Sequence, residues 1–159
     1  MPIGLSDLFG AGEWVPAGMV KNTKNTKDDF YNLVHNIAHP GRINGGGTCN
    51  NILQLIPAGT ANTFEFESRS QRGFKFIWLD IDGVRWQVHG HEPDAGALSG
   101  HVGAMAWTVR IQSGRDYLMS EEWVSDFPLG HRNYIAPTYW KKATNDWTRG
   151  KSHIVLINP

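Results

Sequence analysis

From Val84 to His91 the apolar and polar positions alternate with a period of two, the spacing of strands with one buried and one wet face. From Val84 onward, Val84, Trp86 and Val88 point one way, and Arg85, Gln87, His89 and His91 the other. The run Gly103–Ser113 repeats the pattern, with Met105, Trp107, Val109 and Ile111 apolar and Ala106, Thr108, Arg110 and Gln112 opposite them. Asp82-Gly83, just before the first run, is a dipeptide that closes two-residue hairpins, because both positions tolerate positive φ. Paired in one sheet, these strands present a greasy face and a face of histidines, arginines and glutamine.

The same periodicity predicts a strand at Gly73–Leu79, with Phe74, Phe76 and Trp78 on one side. It predicts another at Asn62–Ser68, where Phe64 and Phe66 alternate with Glu65 and Glu67. A short strand is expected around Tyr117, and a buried one at His153–Ile157. Helical spacing appears at Phe30, Leu33, Val34 and Ile37, behind a capping-box pattern from Thr26 to Asp29 and ahead of a stop at His39-Pro40-Gly41. His35 and His39 in this helix read as surface histidines. Ala136–Trp147 reads as a second helix with Pro137 in its first turn. The stretch from Asn44 to Thr48 is glycine-rich but lacks the Gly-Lys-Ser/Thr of a phosphate-binding loop, and reads as a flexible connection. Residues 1–25, ending in a Lys-Asn-Thr repeat, read as a leader or linker, leaving one domain over 26–159. Strands in series after an N-terminal helix predict an α+β fold with a small antiparallel sheet.

Composition narrows the picture. A chain of 159 residues that is 40% hydrophobic, with seven Trp and seven Phe, is a globular domain and not a disordered one. Eighteen glycines predict many turns. The formal charge is zero, but between His131 and His153 five cations (Arg132, Lys141, Lys142, Arg149, Lys151) face the single acid Asp146. One cysteine, Cys49, excludes an internal disulfide and a thiolate metal cluster. No apolar run has the length of a membrane span, and no signal-peptide pattern opens the sequence, so membrane insertion by the chain itself is not expected.

Three chemistries compete for the wet face. Gly83-x5-His89-x-His91 reproduces the opening of a cupin metal motif, but Ala95 and Gly96 stand where its glutamate belongs, and His101 is the remaining third ligand in a glycine-rich segment. Metal-free cleavage of RNA is the second. The 2′-hydroxyl is the nucleophile, histidines serve as base and acid, and an arginine fork holds the phosphate. His91, His89, Arg85, Arg110 and His153, the last beside Lys151, form that kit. The third is a solvated sheet face, with Arg110 paired to Asp94 or Glu92.

The motifs His91-Glu-Pro-Asp94, Ala97-Leu-Ser99, Ala106-Trp107-x-x-Arg110-x-x-x-Gly114, Tyr117 and Ser152-His153-Ile154 resemble the polymorphic toxin type 30 family of bacterial nucleases. The family pattern has Gly before the Trp and Pro after His-Ile, where this chain has Ala106 and Val155. The resemblance spans about Val84–Tyr117 and the last few residues. It implies a fold of the barnase–EndoU–RelE group, with N-terminal helices behind a small antiparallel sheet and the site on its open face. It matches His91, Asp94, Arg110 and His153, the expected catalytic residues, with His89, Glu92 and Tyr117 as neighbours; from the residue reading, His89, Arg85, Tyr117 and the basic Lys151 and Arg149 are expected to contact substrate. It further implies no metal or cofactor, an RNA substrate (tRNA, rRNA or mRNA), a cognate immunity protein, and a secreted or delivered effector acting in the cytoplasm of a target cell. Two other readings stay open: an ADP-ribosyltransferase toxin using Glu121 or Glu122, and a non-enzymatic Trp-rich β binding module.

Overall fold

The structure, a computed structural model, describes residues 26–46, 50–64, 72–94 and 102–159. The expected leader at 1–25, the greater part of the expected strand at 62–68, Ala97-Leu-Ser99 and His101 lie outside them.

The sheet is built on β2 (Gly73–Leu79) and β3 (Arg85–His91), an antiparallel hairpin in which Phe76 faces Val88 and Trp78 faces Trp86. β4 (Thr108–Ser113) continues it, setting Val88 opposite Ile111. β7 (Ile154–Ile157) lies on the far side of β4, with Ile154 opposite Val109. All these apolar partners are buried, as the period-two pattern requires. β5 (Asp116–Trp123) pairs with β4 and with β6 (Thr138–Lys141), completing seven strands.

The sheet is mixed, not antiparallel. A three-residue strand, β1 (Arg42–Asn44), pairs in parallel with β7, and the order runs β1-β7-β4-β3-β2. β1 begins two residues before the expected glycine-rich connection and takes in its first residue, so Asn44 belongs to a strand. Three residues carry too little alternation to announce a strand; the parallel partner supplies the reason for it.

Other local expectations change for identifiable reasons. The β2–β3 turn is longer than two residues. Asp80 N–H donates to the Val84 carbonyl and Gly83 N–H to the Asp80 carbonyl, and only Gly83 takes positive φ, at 78°. The Asp80 carboxylate accepts from the N–H groups of Asp82 and Val84 and from the Trp86 indole at 3.0 Å. Burial alone would raise its pKa, but these three donors outweigh it and hold the carboxyl below its ordinary value. The first helix, α1, spans Thr26–Val34 and stops short of Ile37, which is fully exposed. Asn36 ends it: its side-chain amide donates to the Leu33 carbonyl and its oxygen accepts from His39 N–H. A one-turn helix, α2, follows at Asn50–Leu53. Ala136–Trp147 is not helical. Thr138–Lys141 is β6, as its β-branched and aromatic residues favour, and the helix, α3, is Asp146–Lys151. Its start is a capping box of Asn145 and Thr148. Met105, expected to be buried, is exposed, because Val102–Ala104 is a 3₁₀ turn and β4 begins only at Thr108.

Phe30 of α1 is fully buried, with ring centroids 6.3 Å from Trp78 and 5.5 Å from Trp86. The two tryptophans lie 6.0 Å apart and nearly parallel. His35 is not a surface histidine. It is half-buried between Tyr31 and Tyr139, and its Nε2 bonds the Met119 carbonyl at 2.9 Å. Burial lowers its pKa from the ordinary 6.5, with the carbonyl acting in the opposite sense. The unfolded chain therefore binds this proton more readily than the folded one. The stabilising contribution is complete above the unfolded value and declines as pH falls through that value towards the lower folded one. Thermal melts of wild type from pH 7.5 to 5 should lose stability below about pH 6.5, and His35→Gln should flatten that slope. An unchanged slope in the variant would assign the pH dependence elsewhere.

Candidate active site

Cross-strand register decides which polar side chains meet. His89 stands directly opposite Arg110, and His91 opposite Thr108. Lys75 of β2 flanks His89 on its other side. On the β7 side Thr108 pairs with Val155, so Arg110 lies level with the residues just before β7. Partners across a sheet share a face; one face thus presents Lys75, His89, His91, Thr108 and Arg110, as the alternation in the sequence implied.

Arg110 is held from two sides. Its Nε and Nη2 donate to Ser152 Oγ at 3.2 and 3.1 Å, and its guanidinium lies 4.2 Å from the Tyr117 ring centroid. Burial lowers its pKa while Tyr117 raises it, and a guanidinium stays charged at neutral pH in either case. Among the described residues no carboxylate pairs with it; the ion pair to Asp94 or Glu92 that the solvated-face reading supposed is absent there, and a neutral hydroxyl and an aromatic face hold it instead. That leaves a positive charge, partly withdrawn from water, facing the histidine pair.

The end of α3 positions His153. Ser152 N–H donates to the Thr148 carbonyl, His153 N–H to the Gly150 carbonyl, and Ser152 Oγ to the Arg149 carbonyl. His153 Nδ1 lies 2.7 Å from that same Arg149 carbonyl. A carbonyl can only accept, so Nδ1 carries the hydrogen and the lone pair of the neutral ring sits on Nε2. His91 is set in the same way, with Nδ1 2.8 Å from the Glu92 carbonyl. In each neutral imidazole the basic nitrogen is therefore Nε2. The His89 and His91 ring centroids are 6.1 Å apart, and His89 also touches Phe64.

The remaining expected site residues are dispersed. Arg85 starts β3, roughly 20 Å along the strand from His91, and donates to Gln87. Asp94 follows β3, its N–H bonded to the Gly103 carbonyl. Arg149 is exposed on α3 and serves the site through its carbonyl. Lys151 forms an ion pair with Glu121 at 2.7 Å. A cavity of about 390 Å³ includes His153, Lys151, Glu121 and Arg42 in its lining, but neither His91 nor Arg110. Sequence reasoning missed three contributors. Ser152 orients Arg110, Arg42 reaches the site only through the unforeseen β1, and Thr108 carries a buried hydroxyl without a hydrogen bond among the described residues. The Ser152-His153 motif held a signal for the first, and the alternation had already put Thr108 on the wet face; nothing local marked Arg42. Among the described residues no group of three His, Cys, Asp or Glu side chains is placed to hold a metal ion.

No curated protein and no solved structure matches the chain. The bacterial toxin 30 family matches it over residues 51–154, more than half its length, and that span contains His89, His91, Arg110 and His153. The chain belongs to the bacterial toxin 30 family.

Proposed function

We propose that this toxin is a metal-independent ribonuclease that cleaves RNA by attack of the 2′-hydroxyl on the adjacent phosphate. The observation that carries the reading is the register that sets His89 opposite Arg110, with Ser152 joining Arg110 to the segment that bears His153. Arg110 would hold the phosphate and the charge that builds on it. One Nε2, of His91 or His153, would take the 2′-hydroxyl proton, and the other, protonated, would supply the leaving 5′-oxygen. His89 would stand beside the phosphate with Arg110.

The toxin would be a delivered effector, acting in the cytoplasm of a target cell and blocked by a cognate immunity protein. No helix among the described residues is long and apolar enough to cross a membrane. Incubating purified protein with total RNA, with and without chelator, and separately with labelled NAD and a lysate, tests the reading. RNA fragments ending in cyclic phosphate, formed equally in chelator, are expected. Transfer of label from NAD without RNA cleavage would support the ADP-ribosyltransferase alternative. Loss of RNA cleavage in chelator, with stoichiometric metal found by elemental analysis, would overturn the metal-free mechanism.

A further inference from the structure

The wet face does not end at His153. β1 lies beyond β7, and its parallel register sets Arg42 beside Val155, whose partner on the other side is Thr108. Arg42 therefore shares a face with Thr108 and Arg110. Here the cavity of about 390 Å³ opens, within the size range of small-ligand sites. Val102, Val155 and Pro40 give it apolar walls, and Arg42, Lys151, Glu121 and His153 supply its charged and titratable groups. At one side Gly41, at φ 73°, packs against Ser120, where a Cβ would come within 2.6 Å of the Ser120 carbonyl oxygen. The two lysine and arginine charges exceed the single carboxylate, and the two cations are held differently. Lys151 is tied to Glu121, whereas Arg42 makes no ion pair among the described residues. An exposed, unpaired arginine at the mouth of a cavity that also contains His153 fits an anion whose neighbouring group reaches the histidine.

We infer that this cavity is a second phosphate subsite, taking the phosphate next to the scissile one in single-stranded RNA. The inference rests on the ribonuclease reading. Arg42 is its principal donor; the apolar walls take the intervening sugar or base. Glu121 restrains Lys151 until the incoming phosphate draws it away. Arg42 lies outside the residues that match the family, so nothing in that match assigns it.

The test is fluorescence anisotropy of the full chain with a labelled 2′-O-methyl oligoribonucleotide, which has no attacking hydroxyl and reports binding alone. Arg42→Ala should weaken binding about 10-fold. It should also reduce the slope of log affinity against log salt by about 0.7, the share of one phosphate contact on a single strand. Arg42→Gln should lose the same slope, and Arg42→Lys should keep it, which a merely structural role would not produce. Glu121→Gln should tighten binding. Wild-type affinity and slope in folded Arg42→Ala and Arg42→Gln, weaker binding in Glu121→Gln, or no binding by wild type would each overturn the subsite. Wild-type protein that binds through Arg42 yet leaves natural RNA uncut overturns the ribonuclease reading instead, and leaves Arg42 as a phosphate contact for single-stranded RNA with no scissile neighbour.

Discussion

Purified His91→Ala and His153→Ala proteins are expected to cleave RNA about 10²–10⁴-fold more slowly than wild type, the range that a positioned proton donor or acceptor contributes. Each ring is oriented by a backbone carbonyl at Nδ1, which fixes the tautomer that its role requires. Arg110→Lys should be as impaired as Arg110→Ala. One ammonium cannot reproduce the planar fork, and it would also lose the paired contact to Ser152 and the stacking on Tyr117. None of these changes should unfold the protein, because each removes a group from the wet face and opens no cavity in the core. Single-turnover cleavage with circular dichroism alongside reads both quantities. Folded variants that cut at the wild-type rate at two of the three positions would displace the site. His89→Ala belongs in the same series, since the register places His89, not His91, directly opposite Arg110.

Phe30→Ala should lower stability by about 3–5 kcal/mol, as truncation of a buried aromatic ring does. Its ring lies against both Trp78 and Trp86, so the vacated space borders two rigid indoles from paired strands, and neither can collapse into it cheaply. In a domain of this size that corresponds to a fall in Tm on the order of 10 °C. Ile37→Ala, at a fully exposed position of the same segment, should change stability by less than about 0.5 kcal/mol. Thermal melts of the two variants check the contrast. Equal effects would mean that residues 26–37 contribute through something other than Phe30 packing.

The central hairpin and its two faces were legible because alternation is a local property. Phe74, Phe76, Trp78, Trp86, Val88, Val109 and Ile111 all fall on the buried side that the period of two assigns them. What the sequence could not show depended on partners distant along the chain. β1 is a strand because β7 lies beside it, and Arg42 reaches the face of Thr108 and Arg110 for that reason alone. The tie between Arg110 and Ser152 joins residues 42 positions apart. The helix expected at Ala136–Trp147 illustrates two competing signals. Pro137 suggested a helix start, but the capping pair Asn145 and Thr148 defined one eight residues later, and Tyr139 and Trp140 were used as strand residues against β5. His35 was misread because exposure follows from what packs over a residue, here Tyr139, and not from its own segment.

The position of β7 between β1 and β4 bears on when the molecule becomes dangerous to the cell that makes it. Of the described strands it is the last to be synthesised, yet it occupies an interior place in the sheet. A nascent chain that has reached only β6 has an open slot where β1 and β4 should be bridged, and it lacks His153. On its β1 side the contacts that fill this slot link residues more than a hundred positions apart, the kind of closure that comes late in folding. On the ribonuclease reading, a ribosome making this protein is shielded by the order of synthesis until the closing segment has left the exit tunnel and inserted.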